Sequence, residues 1–213
     1  MGRDLLQAQQ HLRDSCEVMA SLIPRFVPPT INPQPPERYF DVLVASIIGQ
    51  QLSVKAADTI EARFRNLVTA VTPESVLGLD PVVMREQGLS HSKISYIHNL
   101  ADAFVDQRID PFALEHLPEA EISQALTAVK GIGPWTAEMF MIFGMGRPDV
   151  WSPGDLGLRK AVWALFGEDA DLTRVSDTWS PYRSYASLYL WKLWDEDKPQ
   201  APRSQASTQK TVD

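Results

Sequence analysis

The sequence predicts an all-α protein, and three features agree on it. Apolar residues recur at helical spacing through almost the whole chain, as in Phe40, Leu43, Val44, Ile47 and Ile48. No segment alternates strictly between apolar and polar residues, the pattern of a half-buried strand. Cap-forming residues and helix-ending glycines or prolines punctuate the periodic segments.

Taken in order, Leu5, Leu6, Leu12, Met19 and Leu22 predict a first helix that ends before Pro24. Residues 24–38, PRFVPPTINPQPPER, hold six prolines. Proline fixes φ and donates no N–H, so this stretch is expected to be an extended surface connector, ordered where something holds it. An amphipathic helix follows from Tyr39 to Gly49, and Ser53 is placed to cap a second one carrying Ala56, Ala57, Ile60 and Phe64. Gln50 and Gln51 sit at their junction. Further helices are predicted over 82–87, from Ser90 or His91 to Asp106, and from Pro118 to Val129, with Gly88 and Pro111 as breaks. Another runs from Pro134 to about Phe143. The segment DLGLRKAVWALF reads as a helix capped by Asp155 and closed by Gly167. A last helix spans Tyr182 to Trp194. From Lys198 onward the sequence offers almost nothing apolar to bury, so residues 198–213 are expected to form a disordered tail.

A chain of 213 residues can build one sizeable core or two small lobes sharing a cleft. The lone Cys16 excludes an internal disulfide, a four-cysteine zinc site and a cysteine-ligated iron–sulfur cluster. The four histidines, His11, His91, His98 and His116, lack metal-ligand spacing, so no zinc is expected. The first twenty residues break any apolar run too early for a signal peptide, and no stretch approaches the ~18 apolar residues of a membrane span. A soluble, cytoplasmic protein is expected.

Formal charge is −7, and the tail from Lys198 holds three of the 20 basic and only one of the 27 acidic residues, so the remainder is nearer −9. Bulk charge alone argues against nucleic acid, because neutralising phosphates supplies most non-specific affinity. A local face of backbone amides can override that balance.

Such a face is offered by VKGIGPWTAEMF, Val129 to Phe140, where one helix stops at Gly131-Ile132-Gly133 and another begins at Pro134. Two glycines one residue apart permit a turn tight enough for its amides to point outward together, and the following helix adds its dipole. Lysines are not needed for that kind of phosphate cradle. By itself a Gly-x-Gly is more often a plain helix-to-helix turn. Here it is followed, after a helix and a short loop, by WSPGDLGLRK, in which Pro153 and Gly154 place Asp155 at a helix start.

The pairing of that hairpin with Pro-Gly-Asp resembles the helix-hairpin-helix GPD superfamily of DNA glycosylases. The resemblance runs from about Tyr39 to Trp194, and its details are similar to the 3-methyladenine DNA glycosylase II group. ASIIGQQLSVKAADTIEARF (45–64), GLSHSKISYIHNLADAF (88–104) and PYRSYASLYLWKLWD (181–195) carry it further.

The resemblance implies that Asp155 is the catalytic carboxylate. The chemistry agrees: an alkylated purine already carries positive charge, so the help is needed at the sugar, whose oxocarbenium-like transition state a nearby anion stabilises. Such an anion also orients the attacking water. The plain alternative is that Asp155 merely caps its helix. Trp135 stands where superfamily members that also cleave the backbone hold a lysine, and an indole forms no Schiff base, so base excision without lyase activity is expected. Trp135, Trp191 and Met139 are expected to line the base pocket; Met139 stands where one well-known member of the group resembled has an aromatic. Flat indoles suit an electron-poor purine, although large aromatics also serve as plain core. Lys130, Gly131, Ile132, Gly133 and Thr136 of the hairpin, with Gln50, Gln51, Leu52 and Ser53, are expected to contact DNA. Gln51 aligns with the minor-groove wedge that fills the gap left by an everted base, with Leu52 beside it. No cofactor is expected beyond a monovalent cation, Na+ or K+, on the hairpin carbonyls near Val129 and Gly131.

The expected architecture is therefore two-lobed with a central cleft. One lobe is made of residues 1–38 and 155–197 and the other of 39–154, without the extra N-terminal β-domain of larger relatives, for which the residues before Tyr39 leave no room. The expected partner is double-stranded DNA containing alkylated bases, met by a monomer. Two other readings fit the same residues: a glycosylase for a different lesion, and a non-catalytic helix-hairpin-helix DNA-binding module.

Overall fold

In the computed structural model, residues 2–196 are described; the expected tail 198–213 lies outside them. The described residues are helical, with no strand among them. In chain order the helices are α1 Gly2–Ser15, α2 Glu17–Leu22, α3 Tyr39–Gly49, α4 Val54–Arg65, α5 Pro73–Leu77, α6 Pro81–Glu86 and α7 His91–Val105. They continue as α8 Pro111–Leu114, α9 Glu119–Thr127, α10 Pro134–Met139, α11 Leu156–Phe166, α12 Leu172–Asp177 and α13 Arg183–Glu196.

The single first helix expected from the apolar pattern is two helices. Cys16 adopts an extended conformation (φ −155°, ψ 116°) and breaks the run between α1 and α2. The break turns Ala8 and Leu12 of α1 and Met19 and Leu22 of α2 into the same core. Beyond a short 3₁₀ turn at Ile23–Arg25, the proline-rich connector is non-helical over 26–35. What holds it is a hydrogen bond from the Gln34 N–H to the Gly144 carbonyl at 2.7 Å, together with the buried side chain of Ile31.

Three short helices, α5, α8 and α12, begin where the sequence shows only turns. Each has an aligned polar cap: Thr72 with Ser75 in a reciprocal capping box, Asp110, and Asp171. Pro111, expected as a break, lies in the break between α7 and α9 and there opens α8 at the first helical position, where its missing N–H costs nothing and its fixed φ suits the helix.

The terminal helices pack together, α1 on α13 and α13 on α11, while α3 packs on α4 and α7, α7 on α5 and α6, and α9 on α10. A single continuous core joins the two groups. Within it α3 buries Phe40, Leu43, Val44, Ile47 and Ile48, each contributing about 1.5–3 kcal/mol of burial. That anchors the end of α3, with Gln50 just past it, against the rest of the fold.

Past α10 the helix widens into a π turn over Phe140–Gly144, closed by the Met145 N–H donating to the Phe140 carbonyl at 3.0 Å. The sequence reads this stretch as ordinary helix to Phe143. A π turn adds one residue, rotates the chain beyond it, and is frequent at functional sites.

Candidate active site

Asp155 caps α11. Its Oδ1 accepts the Leu158 N–H at 2.9 Å, satisfying one of the helix's orphan donors. Two indoles complete its shell: Trp191 Nε1 donates to Oδ1 at 3.0 Å and Trp135 Nε1 to Oδ2 at 2.8 Å. Three N–H groups from α10, α11 and α13 thus converge on one half-exposed carboxylate. Oδ1 takes two of these bonds and Oδ2 one, so Oδ2 keeps a lone pair available.

The room for this arrangement comes from Gly157. A Cβ there would lie 3.0 Å from Trp194 Cδ1, 3.2 Å from Asp155 Oδ1 and 3.3 Å from Trp191 Cδ1, so a side chain would crowd the carboxylate and both indoles, which would have to give by a few tenths of an ångström. In the sequence that glycine reads only as a tolerated residue in a helix.

The indoles also form a wall. Trp135 is 47% exposed, and the Trp191 ring stacks on Phe143 with centroids 5.7 Å apart and planes 30° from parallel. Phe143, 44% exposed, is presented by the π turn. Sequence reasoning missed it, because an apolar residue near a helix end reads as core. Met139 is partly buried and packs on the core.

The hairpin meets the end of α3 through Gln50, whose Nε2 donates to the Gly131 carbonyl at 3.0 Å and to Thr136 Oγ1 at 3.3 Å. Gln50 itself is held by Lys93, whose Nζ donates to the carbonyls of Ile48 at 2.7 Å and Gln50 at 2.8 Å, closing the C-terminus of α3. Burial lowers the Lys93 pKa from its ordinary value. Nothing in the sequence singles out Lys93. A lysine in the first turn of a helix looks like a solvated charge.

These contacts divide the expected DNA-binding residues into two sets. Thr136, 5% exposed, and the buried side chain of Ile132 do not face out; Thr136 braces Gln50, and the Ile132 N–H is spent on the Val129 carbonyl at 3.1 Å. The expectation that the hairpin amides point out together is corrected to that extent. Among the described residues the Gly131 and Gly133 amides have no hydrogen-bond partner. Gln51, Leu52, Ser53 and Lys130 are exposed. Gln51 has a left-handed backbone (φ 59°), which turns it away from Gln50, and Ser53 caps α4 by accepting the Ala56 N–H at 3.4 Å. A groove of about 600 Å³ lies here, lined by Gln50, Gln51, Tyr96, Gly131, Gly133 and Trp135.

The two hairpin glycines differ in kind. Gly131 has φ 111°, and a Cβ on it would fall 2.3 Å from the Tyr96 ring, so the fold requires it. Gly133 has φ −90°, and a Cβ there would meet nothing within 4 Å. The fold does not require Gly133, and it leaves the backbone bare on the groove side.

One more carboxyl stands close. Glu138 of α10 accepts a hydrogen bond from the Oγ of Ser152, a fully buried residue. Burial pushes the Glu138 pKa up, the Ser152 bond pulls it partly back, and the Asp155 charge pushes it up again.

A glycine hairpin joined to a capped, indole-gripped aspartate defines the class of helical DNA-repair proteins that act on bases. The chain matches the HhH-GPD superfamily of base excision DNA repair proteins over residues 44–178, and it belongs to that superfamily as a DNA glycosylase. It is 34% identical over 176 residues to DNA-3-methyladenine glycosylase 1 of Schizosaccharomyces pombe, covering 77% of each chain. Among solved structures, it superposes on a DNA-3-methyladenine glycosidase of Bacillus halodurans with a TM-score of 0.71 and 38% identity, covering 78% of this chain and 79% of that one. A 3-methyladenine DNA glycosylase of S. pombe in complex with abasic DNA aligns with a TM-score of 0.77 and 30% identity, over 87% of this chain and 95% of the other.

Proposed function

We propose that the protein is a monofunctional glycosylase that everts alkylated purines of the 3-methyladenine and 7-methylguanine type from double-stranded DNA and hydrolyses their N-glycosidic bond. The observation that carries this reading is the Asp155 carboxylate, held by three N–H groups beside an aromatic wall. The names of the relatives supply the lesion class.

In this reading the everted base enters between Trp135 and the Trp191–Phe143 stack, beside Met139. A purine with full positive charge gains from cation–π attraction that a neutral base lacks. The C1′–N bond breaks with its electron pair leaving on the purine, which neutralises the base and needs little protonation. The sugar is left with the positive charge, and Asp155 faces it as a fixed anion. Water then bonds to C1′ and gives up a proton, for which the open lone pair on Oδ2 is the local acceptor. Because Trp135 replaces the amine nucleophile, no covalent enzyme–DNA intermediate forms.

The hairpin holds the phosphate through the Gly131 and Gly133 amides and Lys130, and Gln51, with Leu52 at its side, fills the space of the everted base. A monovalent cation fits the hairpin carbonyls. Val129 and Gly131 each accept one hydrogen bond, from the Ile132 N–H and from Gln50, and each keeps a second lone pair for a hard cation. The protein acts as a cytoplasmic monomer in this reading.

The test is a panel of duplexes each carrying one lesion. Release of 3-methyladenine and 7-methylguanine is expected, and Asp155→Asn should abolish release while leaving affinity for abasic DNA unchanged. Release confined to oxidised or deaminated bases would refute the substrate class, and unchanged kinetics in Asp155→Asn would refute the role of the carboxylate.

A further inference from the structure

Among the described residues, the buried or half-buried polar features outside the proposed chemistry include the Lys93 cap on α3, the unpartnered indole nitrogen of Trp179, and the Glu138–Ser152 pair. The last touches the catalytic loop itself. We infer that Glu138 is a positioning residue, which through its bond to Ser152 fixes the loop that delivers Asp155 to the sugar. The inference rests on the reading of Asp155 as the catalytic carboxylate.

Within the loop, Ser152 is fully buried, Pro153 and Gly154 are exposed, and Asp155 begins α11. A Cβ on Gly154 would meet nothing within 4 Å, so packing does not fix the chain between Ser152 and Asp155. The Asp155 N–H donates to the Ser152 carbonyl at 3.1 Å, closing a turn whose geometry moves with Ser152. Ser152 is therefore the last fixed point before the carboxylate, and its hydroxyl is fastened to Glu138.

Glu138 in turn lies on α10, one helical turn after Trp135. The same short helix thus holds the loop twice: Trp135 on the Asp155 carboxylate and Glu138 on Ser152. α10 also continues directly from the hairpin, so the element that meets the phosphate and the element that aims the carboxylate form one rigid piece. A second carboxylate beside the catalytic one is an electrostatic burden on Glu138. A loop anchor without charge would avoid that burden. What a glutamate offers is reach and a strong acceptor for the buried hydroxyl.

The test uses single-turnover base release from a duplex with one 7-methylguanine, alongside affinity for an abasic duplex and thermal unfolding, on Glu138→Ala, Glu138→Gln, Ser152→Ala, the Glu138→Ala/Ser152→Ala double variant and Asp155→Asn. Glu138→Ala and Ser152→Ala should each slow release by about tenfold or more with abasic-DNA affinity unchanged, since a misplaced catalytic group costs rate rather than binding. Glu138→Gln keeps an acceptor oxygen and should recover the rate to within about threefold of the parent. The double variant should be no slower than the slower single one, because both remove the same tether.

Parental rates in Glu138→Ala and Ser152→Ala overturn the inference, as do additive losses in the double variant. A Glu138→Gln as slow as Glu138→Ala also overturns it, assigning the effect to charge. If Glu138→Ala does not fold, Ser152→Ala and Glu138→Gln decide. Full release by Asp155→Asn sinks the parent reading; an inactive Asp155→Asn beside undisturbed Glu138 and Ser152 variants sinks the tether alone.

Discussion

Trp191 donates its indole N–H to Asp155 Oδ1 across 3.0 Å, joining two residues 36 positions apart in the chain on the packed pair α11 and α13. A hydrogen bond to an ionised group contributes about 1.5–3 kcal/mol, so its loss should be visible in rate. Trp191→Phe keeps an aromatic ring against Phe143 and removes the donor. Single-turnover base release should fall by about tenfold or more, with abasic-DNA affinity little changed. A parental rate would show that Asp155 is oriented by Trp135 and the Leu158 amide alone.

The two hairpin glycines should separate in mutagenesis. Gly131→Ala forces a side chain into the left-handed region and against Tyr96, so it should destabilise the protein by about 2 kcal/mol or more. Gly133→Ala meets no atom and no strain in the free protein, and its unfolding midpoint should stay put. Its methyl group, however, would stand where the proposed phosphate contact brings the DNA backbone, so affinity for duplex DNA should drop. Equal DNA affinity in Gly133→Ala and parent would move the phosphate contact elsewhere.

Gln51 offers a test of the wedge that stability does not confuse. In Gln51→Gly, relief of the left-handed backbone and the added freedom of the unfolded chain offset each other, leaving stability within about 1 kcal/mol. Base release should nonetheless slow, because nothing fills the vacated stack. If Leu52→Ala slows release and Gln51→Gly does not, the wedge is Leu52.

Glu138 sets a pH dependence. Its carboxyl titrates above the ordinary range in the folded protein, so between the ordinary and the raised value the folded state binds more protons than the unfolded one. Stability therefore falls as pH rises through that window, and above it the ionised form carries a constant penalty. Glu138→Gln has no such penalty. Its unfolding midpoint should exceed the parent's at about pH 8 and the difference should close by about pH 4. A gap that widens on acidification contradicts the sign.

Borohydride added during turnover should trap no covalent adduct between protein and DNA, since no amine stands at Trp135. A trapped band on a denaturing gel would overturn the monofunctional assignment.

Much of the backbone was legible in the sequence, because caps and periodicity are local. Tyr39–Gly49, the Ser53 cap and the Asp155–Gly167 helix come from spacing alone. The two-fold grip of indoles on Asp155 does not, since it depends on where three helices cross. Gln50 and Gln51 show the limit most clearly. They are identical neighbours, yet the first turns inward to brace the hairpin and the second turns outward, a difference set by one backbone angle and by Lys93 from α7. The same holds for Glu138, which looks like a solvated helix charge until Ser152 arrives from fourteen residues away. The π turn that presents Phe143 has no pattern of its own to read.

The proposed phosphate grip, two uncharged amides beside the single lysine Lys130, has a consequence for how this acidic protein would travel along DNA. Each lysine or arginine set on a phosphate sends a condensed counterion back to bulk, and that release steepens the loss of affinity with salt. Dipoles on Gly131 and Gly133 liberate far fewer ions, so with Lys130 as the one cation of the grip it should weaken only gently as ionic strength climbs. Intact duplex, offering no everted base, would then hold the enzyme only briefly, and residence time would be decided at the lesion.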